Sequence, residues 1–248
     1  MLQGYYDLTS NMITQNRNLN VVSNNMTNVS TPGYKMDRIM QSTFRDEMIY
    51  RYDRDGKTPV GRVSWVNTAA ERVTDYTEGG IRETGDALDV GLTGNGFFVI
   101  DTGDGPVYTR DGSFNLDNEG YLTMPGIGRV QGTNGAIRLT TDNIIIDKQG
   151  NIFSEDGNQN FGRLQIVDFA DYGQLTKISG SVFRANAQPQ AADAGTTVTQ
   201  RYLEDSNVSM AEEMTRMISS QRILQSSAQL LKIYDQLEAK MVTMGSAT

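Results

Sequence analysis

The sequence predicts an α+β chain: a discontinuous helical coiled-coil domain, made by the N- and C-terminal segments, plus a central all-β domain. Two observations carry this reading. Both ends hold apolar residues at alternating spacings of four and three, and from Phe97 to Phe183 short apolar runs alternate with Gly/Asp/Asn turns. A length of 248 residues is sufficient for both parts, each with its own core.

Residues 1–35 open the helical part. Leu8, Met12, Leu19, Val22, Met26 and Val29 follow the four-and-three spacing, with Gln15 completing the series. That is a heptad stripe of about three heptads. The positions between are polar, among them Asn11, Thr14, Asn16, Asn18, Asn20 and Ser23. A seam this narrow suits contact with another helix, whereas a helix lying on a globular core shows a wider apolar face. On pattern alone both readings stand. Pro32-Gly33 stops the run, because proline lacks the N–H and disfavours helix at Thr31.

Residues 36–76 form a connector. Met48–Tyr52 and Val60–Val66 flank Asp53-Arg54-Asp55-Gly56-Lys57, which fits a hairpin around an Asp-Gly turn; Trp65, the single tryptophan, lies in it. Residues 77–202 form the β-rich part. Phe97–Ile100, Ile144–Ile146 and Leu164–Phe169 read as strands. Asp117-Asn118-Glu119-Gly120-Tyr121-Leu122 resembles Asp147-Lys148-Gln149-Gly150-Asn151-Ile152: in each, Asp caps a turn and Gly takes positive φ. Turns this close together favour hairpins over βαβ units. Residues 185–201 are small and polar and read as an extended return path.

Residues 203–248 complete the helical part. Ser209 with Glu212 three residues on reads as a capping box. Met210, Met214, Met217, Gln221, Leu224, Ala228 and Leu231 continue the four-and-three spacing. A second stripe, Leu230, Tyr234, Leu237, Met241 and Met244, takes over one position out of phase, as a stutter or a second contact face does. Both ends lean on methionine, which adapts to irregular contacts.

Composition narrows the function. The net charge of −8 argues against nucleic acid or an anionic membrane as partner, and the absence of any apolar run near 18 residues argues against membrane insertion. Met1–Asp7 has neither a basic nor an apolar signal region, so no cleaved Sec-type signal is expected. Cysteine and histidine are both absent, which removes thiolate metal sites, the commonest general base and histidine-based triads. The Asp/Gly turns do not match the EF-hand pattern. Gly91-Leu92-Thr93-Gly94-Asn95-Gly96 has the wrong glycine order for a phosphate loop and leads into a strand. Among 30 acidic residues, carboxylate pairs are unavoidable and discriminate nothing. The reading is a non-enzyme with no cofactor and no metal.

Four stretches resemble one family. Ser23–Lys35, with Asn24, Asn25, Asn28, Gly33 and Tyr34, looks like the N-terminal signature of bacterial flagellar rod and hook axial proteins. Leu88–Val99, with Asp89, Gly94, Gly96, Phe97 and Phe98, is similar to that family's central β motif. Tyr108-Thr109-Arg110-Asp111-Gly112-Ser113-Phe114 is close to a family hallmark, and Ser206-Asn207-Val208 opens a stretch like its C-terminal motif. The order holds across almost the whole chain, and the length resembles the basal-body rod proteins of the FlgF/FlgG type. Gly91 stands where the family commonly has alanine, and Ile223–Ser227 departs from its pattern, so proximal and distal rod stay open.

The resemblance implies paired terminal helices lining an axial channel, with copies of the chain and other rod or hook subunits as partners. It also implies passage through the flagellar type III export apparatus and residence in the basal body. The expected assembly interface is Leu8, Met12, Gln15, Leu19, Val22, Met26, Val29, Met214, Met217, Gln221, Leu224 and Leu231. Gln15 and Gln221 there would set register, as polar residues on such seams can. Rival readings are a hook or hook-junction subunit, a cell-wall hydrolase and a secreted adhesin.

Overall fold

The chain is helical at its two ends and β-rich between them, α+β overall. The computed structural model describes residues 2–53, 56–141, 143–155, 159–193 and 195–245. It divides into two compact units: Met1–Met26 with Asp37–Thr74 and Ser209–Thr248, and Thr27–Met36 with Asp75–Val208.

The first unit holds both helices. Helix α1 spans Leu2–Thr27 and helix α2 spans Met210–Gly245. The Ser209 carbonyl accepts the Glu213 N–H at 3.0 Å, the first helical bond of α2. Glu212 and Glu213 lie in the first turn, where negative charge is favoured by the helix dipole. Strand β1 (Asp37–Asp53) and strand β2 (Gly56–Thr74) form one long antiparallel hairpin, in register from Asp37 opposite Thr74 to Asp53 opposite Gly56. Two bulges, between Met40 and Gln41 and between Ile49 and Tyr50, keep it from a regular ladder. Arg54 and Asp55 of the expected turn lie outside the described residues, as do the side chains of residues 41–53 and 58–70, Trp65 included.

The second unit is built on an antiparallel sheet. Its main path runs Leu175–Ser179, Val182–Ala185, Pro106–Thr109, Phe97–Asp101, Gly128–Gly132, Leu122–Met124 and Asn115–Leu116. A three-stranded sheet holds Ile144–Ile146, Asn151–Ser154 and Asn160–Arg163. Val90, Leu92, Phe98, Phe114, Leu122, Val130, Ile152, Leu164 and Val198 share one buried core. Phe97, Tyr108, Phe169 and Phe183 form a second, with Tyr76 and Tyr172 packed against it. Alternation explains the division: successive residues of a strand point to opposite faces, so Phe97 and Phe98 enter different cores.

Two short ladders close this unit with its last residues. Val90–Thr93 pairs with Thr197–Gln200, and Ile81–Glu83 pairs with Tyr202–Glu204. The expected Asp-x-x-Gly turns are one structure used twice. In each, the Asp carboxylate accepts the N–H groups two and four residues on, at 2.8–3.0 Å, and the Gly has φ +83°.

Candidate functional site

The two helices of the first unit meet along a polar seam. Asn25 Nδ2 donates to Glu213 Oε2 at 3.1 Å, and Asn18 Nδ2 donates to Ser220 Oγ at 2.9 Å. A Cβ on Gly4 would stand 3.0 Å from the Tyr234 hydroxyl. Gly4 to Asn18 and Tyr234 to Ser220 are steps of fourteen residues, and Asn18 to Asn25 and Ser220 to Glu213 are steps of seven. The helices are therefore antiparallel, with these three contacts at multiples of seven residues.

The covered positions of α2 follow that register: Glu213, Met217, Ser220, Leu224, Ser227, Leu231 and Tyr234. Small and polar residues are interleaved with large ones, and Ser220 and Ser227 are only 3% and 4% exposed. Asn25 anchors the end of the seam. Its Nδ2 also donates to the Asp37 carbonyl at 2.8 Å, and its Oδ1 accepts the Asp37 N–H at 3.1 Å. Glu213 Oε1 accepts from Arg216 at 2.9 Å, and Asp37 Oδ1 accepts from the Thr74 hydroxyl at 2.7 Å. Each of these buried groups has a partner, which removes the cost of burying it unpaired.

Met217, Leu224 and Leu231 lie half-buried on this seam, while Met214 and Gln221 are exposed. On α1, Gln15 and Val22 are buried, and Leu8, Met12, Leu19 and Met26 are half-buried. Met214, Ile218, Ile223, Leu230, Ile233, Leu237, Met241 and Met244 leave an apolar surface along α2, each at least 41% exposed. Tyr5, Tyr6 and Ile13 do the same on α1.

In the second unit the motif stretches converge on Glu204, itself 1% exposed. Its Oε1 accepts from Lys35 Nζ at 2.6 Å and from the Gly79 N–H at 3.0 Å; its Oε2 accepts from Arg110 at 3.3 Å; its carbonyl accepts the Gly33 N–H at 2.7 Å. Lys35 Nζ donates onward to the Thr77 carbonyl at 2.7 Å, and Arg110 to the Gly94 carbonyl at 2.7 Å. Burial lowers the Lys35 pKa; attraction to Glu204 opposes that, and Arg110 adds to it. Gly33 is required here: φ is +63°, and a Cβ would lie 2.4 Å from the Arg110 backbone.

The other motif residues support this node. Asn207 accepts the Met36 N–H at 2.8 Å through Oδ1 and donates to the Asp75 carbonyl at 2.8 Å through Nδ2. Val29, Tyr34, Met36 and Val208 form a small buried cluster, and Lys177 Nζ sits 3.7 Å over the Tyr34 ring. The Ser206 hydroxyl accepts the Val208 N–H at 3.2 Å. Thr109 donates to the Ser181 carbonyl at 3.0 Å, and Phe114 packs edge-on against Phe98. Gly112 carries the Val90 carbonyl where a Cβ would be, and the Asp89 carbonyl accepts the Arg201 N–H at 2.7 Å. Gly96 has φ +142°. The Asn28 carboxamide accepts from Thr31 at 3.3 Å, and the Asn24 side chain is exposed.

Sequence reasoning did not single out Glu204, Glu213, Ser220 or Ser227. Hydropathy cannot mark a buried serine or glutamate, and the partners of Glu204 lie 169 and 94 residues away. No group of three or more metal-ligating side chains occurs among the described residues.

Three family models match the chain: flagella basal body rod protein over residues 8–35, flagellar hook protein FlgE/F/G D1 domain over 91–188, and flagellar basal body rod FlgEFG protein C-terminal over 199–244. Flagellar basal-body rod protein FlgG of Bacillus subtilis is 32% identical over 98% of this chain and 99% of its own length. FlgG of Buchnera aphidicola from Acyrthosiphon pisum is 30% identical over 92% of this chain and 94% of that one. FlgF of Caulobacter vibrioides is 31% identical over 90% and 89%. With helical ends tied together and the motif stretches gathered on Glu204, the chain belongs to the flagellar basal-body rod protein family.

Proposed function

We propose that the chain is a structural subunit of the bacterial flagellar basal-body rod, self-assembling into a helical tube that transmits torque and encloses the export channel. One observation carries this most: the terminal helices spend their polar residues on each other and leave apolar side chains exposed along α2, from Met214 to Met244. Exposed apolar side chains spread along a helix in this way offer surface to other helices. A head-to-tail contact that does not close into a ring generates a helical tube.

The two helices then act as one coiled-coil domain, 1–35 with 203–248, with 36–76 as connector and 77–202 as the β-rich domain. Its interface consists of Leu8, Met12, Gln15, Leu19, Val22, Met26, Val29, Met214, Met217, Gln221, Leu224 and Leu231. Docking to neighbouring rod or hook subunits then covers the apolar side chains that one chain leaves exposed along these helices. Export through the flagellar type III apparatus without a cleaved signal fits a chain with no cysteine to cross-link. The role is mechanical and non-catalytic, with neither nucleic-acid binding nor membrane insertion. Sedimentation of the full chain against Met214→Ser/Ile218→Ser tests it: the wild type polymerises and the variant stays monomeric. Equal polymerisation of both sinks the reading.

A further inference from the structure

The two Asp-x-x-Gly turns match bond for bond. Asp117 and Asp147 each give a backbone N–H to the residue four on, Tyr121 or Asn151, at 2.9 and 3.0 Å. Gly120 and Gly150 each donate back to the Asp carbonyl at 3.0 Å. The Gly carbonyls accept from Leu139 and Leu164 at 2.7 and 2.9 Å. Arg138 Nε donates to the Glu119 carbonyl at 3.0 Å, and Arg163 Nε to the Gln149 carbonyl at 2.9 Å. The backbone is one unit used twice, so the side chains can be compared position by position.

In the first turn they are spent internally. Arg129 pairs with Asp117 at 3.0 Å and Glu119 at 2.7 Å, and its guanidinium lies 4.0 Å over the Tyr121 ring. Arg138 lies 5.6 Å from the same ring. In the second turn Glu119 is replaced by Gln149 and Tyr121 by Asn151. No lysine or arginine forms an ion pair with Asp147, and no aromatic ring stacks on Arg163, among the described residues.

A cleft opens there instead. A cavity of about 370 Å³ is lined by Asn134, Asn151, Phe161 and Arg163, among others, and one of about 620 Å³ by Gln149, Arg163, Gln165 and Gln190. Thr133 and Arg163 line both. The side-chain carboxamides of Asn134, Gln149, Gln165 and Gln190 make no hydrogen bond among the described residues. The backbone beside them is used: Thr133 N–H donates to the Arg163 carbonyl at 2.9 Å and Gln165 N–H to the Gln131 carbonyl at 3.0 Å. Those bonds occupy the facing backbone groups of Thr133, Arg163 and Gln165, so at that point of the cleft recognition falls to side chains.

We propose that this cleft binds an oligosaccharide. A sugar ring lies against Phe161 and Arg163, where the first turn carries its own tyrosine. Carboxamides both donate and accept, which matches neighbouring sugar hydroxyls and acetamido groups. Arg163, held at Nε, offers its remaining N–H donors to ring oxygens. The lining is rich in polar side chains, with Phe161 as its aromatic wall, which suits a hydroxyl-rich ligand rather than an apolar one.

The test is titration of the full chain with the β-1,4-linked N-acetylglucosamine tetramer and with cellotetraose, followed through side-chain NMR signals. The Gln149, Gln165 and Arg163 signals shift saturably with at least one sugar, and the Arg138 signal does not. Arg163→Met and Gln165→Ala each weaken binding about tenfold, while Arg138→Met leaves it unchanged. Gln165→Ala touches no bond of the turn, so it carries the test if Arg163→Met perturbs folding. Absence of saturable shifts with both sugars, or binding indifferent to both substitutions, overturns the proposal. So does a response to an extended decapeptide with none to either sugar.

Discussion

Asn25 and Glu213, 188 residues apart, meet at 3.1 Å and are each 1% exposed. This bond ties the first helix to the last at the end of the seam nearest the hairpin. Asn25→Ala deletes it, along with both bonds to Asp37, and leaves a buried carboxylate that keeps its bond from Arg216. The expected loss is about 2–4 kcal/mol, the range for stranding buried polar and charged groups. Urea unfolding followed by the helical circular dichroism signal measures it. A loss below about 0.5 kcal/mol would mean the bond is dispensable.

The seam and the exposed face of α2 respond differently to mutation. Ser220→Leu forces bulk into a position 3% exposed and removes the acceptor of Asn18. It destabilises the helix pair by about 1–3 kcal/mol. Met214→Ser, on a residue 47% exposed, changes the monomer by less than about 0.5 kcal/mol but weakens self-association. Thermal unfolding of the monomer and sedimentation of the assembly separate the two effects.

Glu204→Gln leaves Lys35 and Arg110 buried without their anion. Breaking a buried ion cluster by removing one partner costs about 3–5 kcal/mol. The loss is read from the near-ultraviolet signal of the Tyr76, Phe97, Tyr172 and Phe183 cluster, which lies in the same unit. Survival of that signal to the wild-type midpoint would contradict the central place given to Glu204.

Acid should separate three aspartates by sign. Backbone hydrogen bonds, that from Tyr121 foremost, hold Asp117 below its ordinary 3.8. Burial pushes Asp147 upward, but bonds from Asn151 and Gln149 outweigh it and the net shift is down. Both therefore contribute stability that is present above 3.8 and lost as pH falls through their lowered values. Burial raises Asp111, so its contribution is full below 3.8 and lost as pH rises through its raised value. Asp147→Asn thus flattens the acid limb of the stability curve. Asp111→Asn, whose amide oxygen still accepts from Ser113, holds or increases stability at neutral pH. Urea midpoints between pH 3 and pH 7 check both signs.

Part of this was legible in the chain. Met217, Leu224 and Leu231 are apolar at heptad spacing, so their place on the seam can be read from hydropathy. Their neighbours on the seam, Glu213, Ser220 and Ser227, cannot, because the helices come together on small and hydrogen-bonded residues. The apolar choices one position on, Met214 and Ala228, face outward instead. The Asp117 and Asp147 turns are local and depend on a carboxylate two residues from its donor. Glu204 depends on Lys35 and Arg110, 169 and 94 residues away, which no local pattern in the chain links to it. The capping box read at Ser209 and Glu212 makes no side-chain bond among the described residues; the Ser209 carbonyl and the acidic first turn begin the helix instead.

The central claim is that the exposed apolar face of α2 is covered by neighbouring copies in a rod. The most direct measurement is an image reconstruction of isolated basal bodies with this subunit placed in the density. The expected result is the chain in the rod wall, with Met214, Ile218, Leu230, Leu237 and Met241 packed against adjacent subunits. A rod built without this chain, or one in which those side chains face solvent, would contradict it.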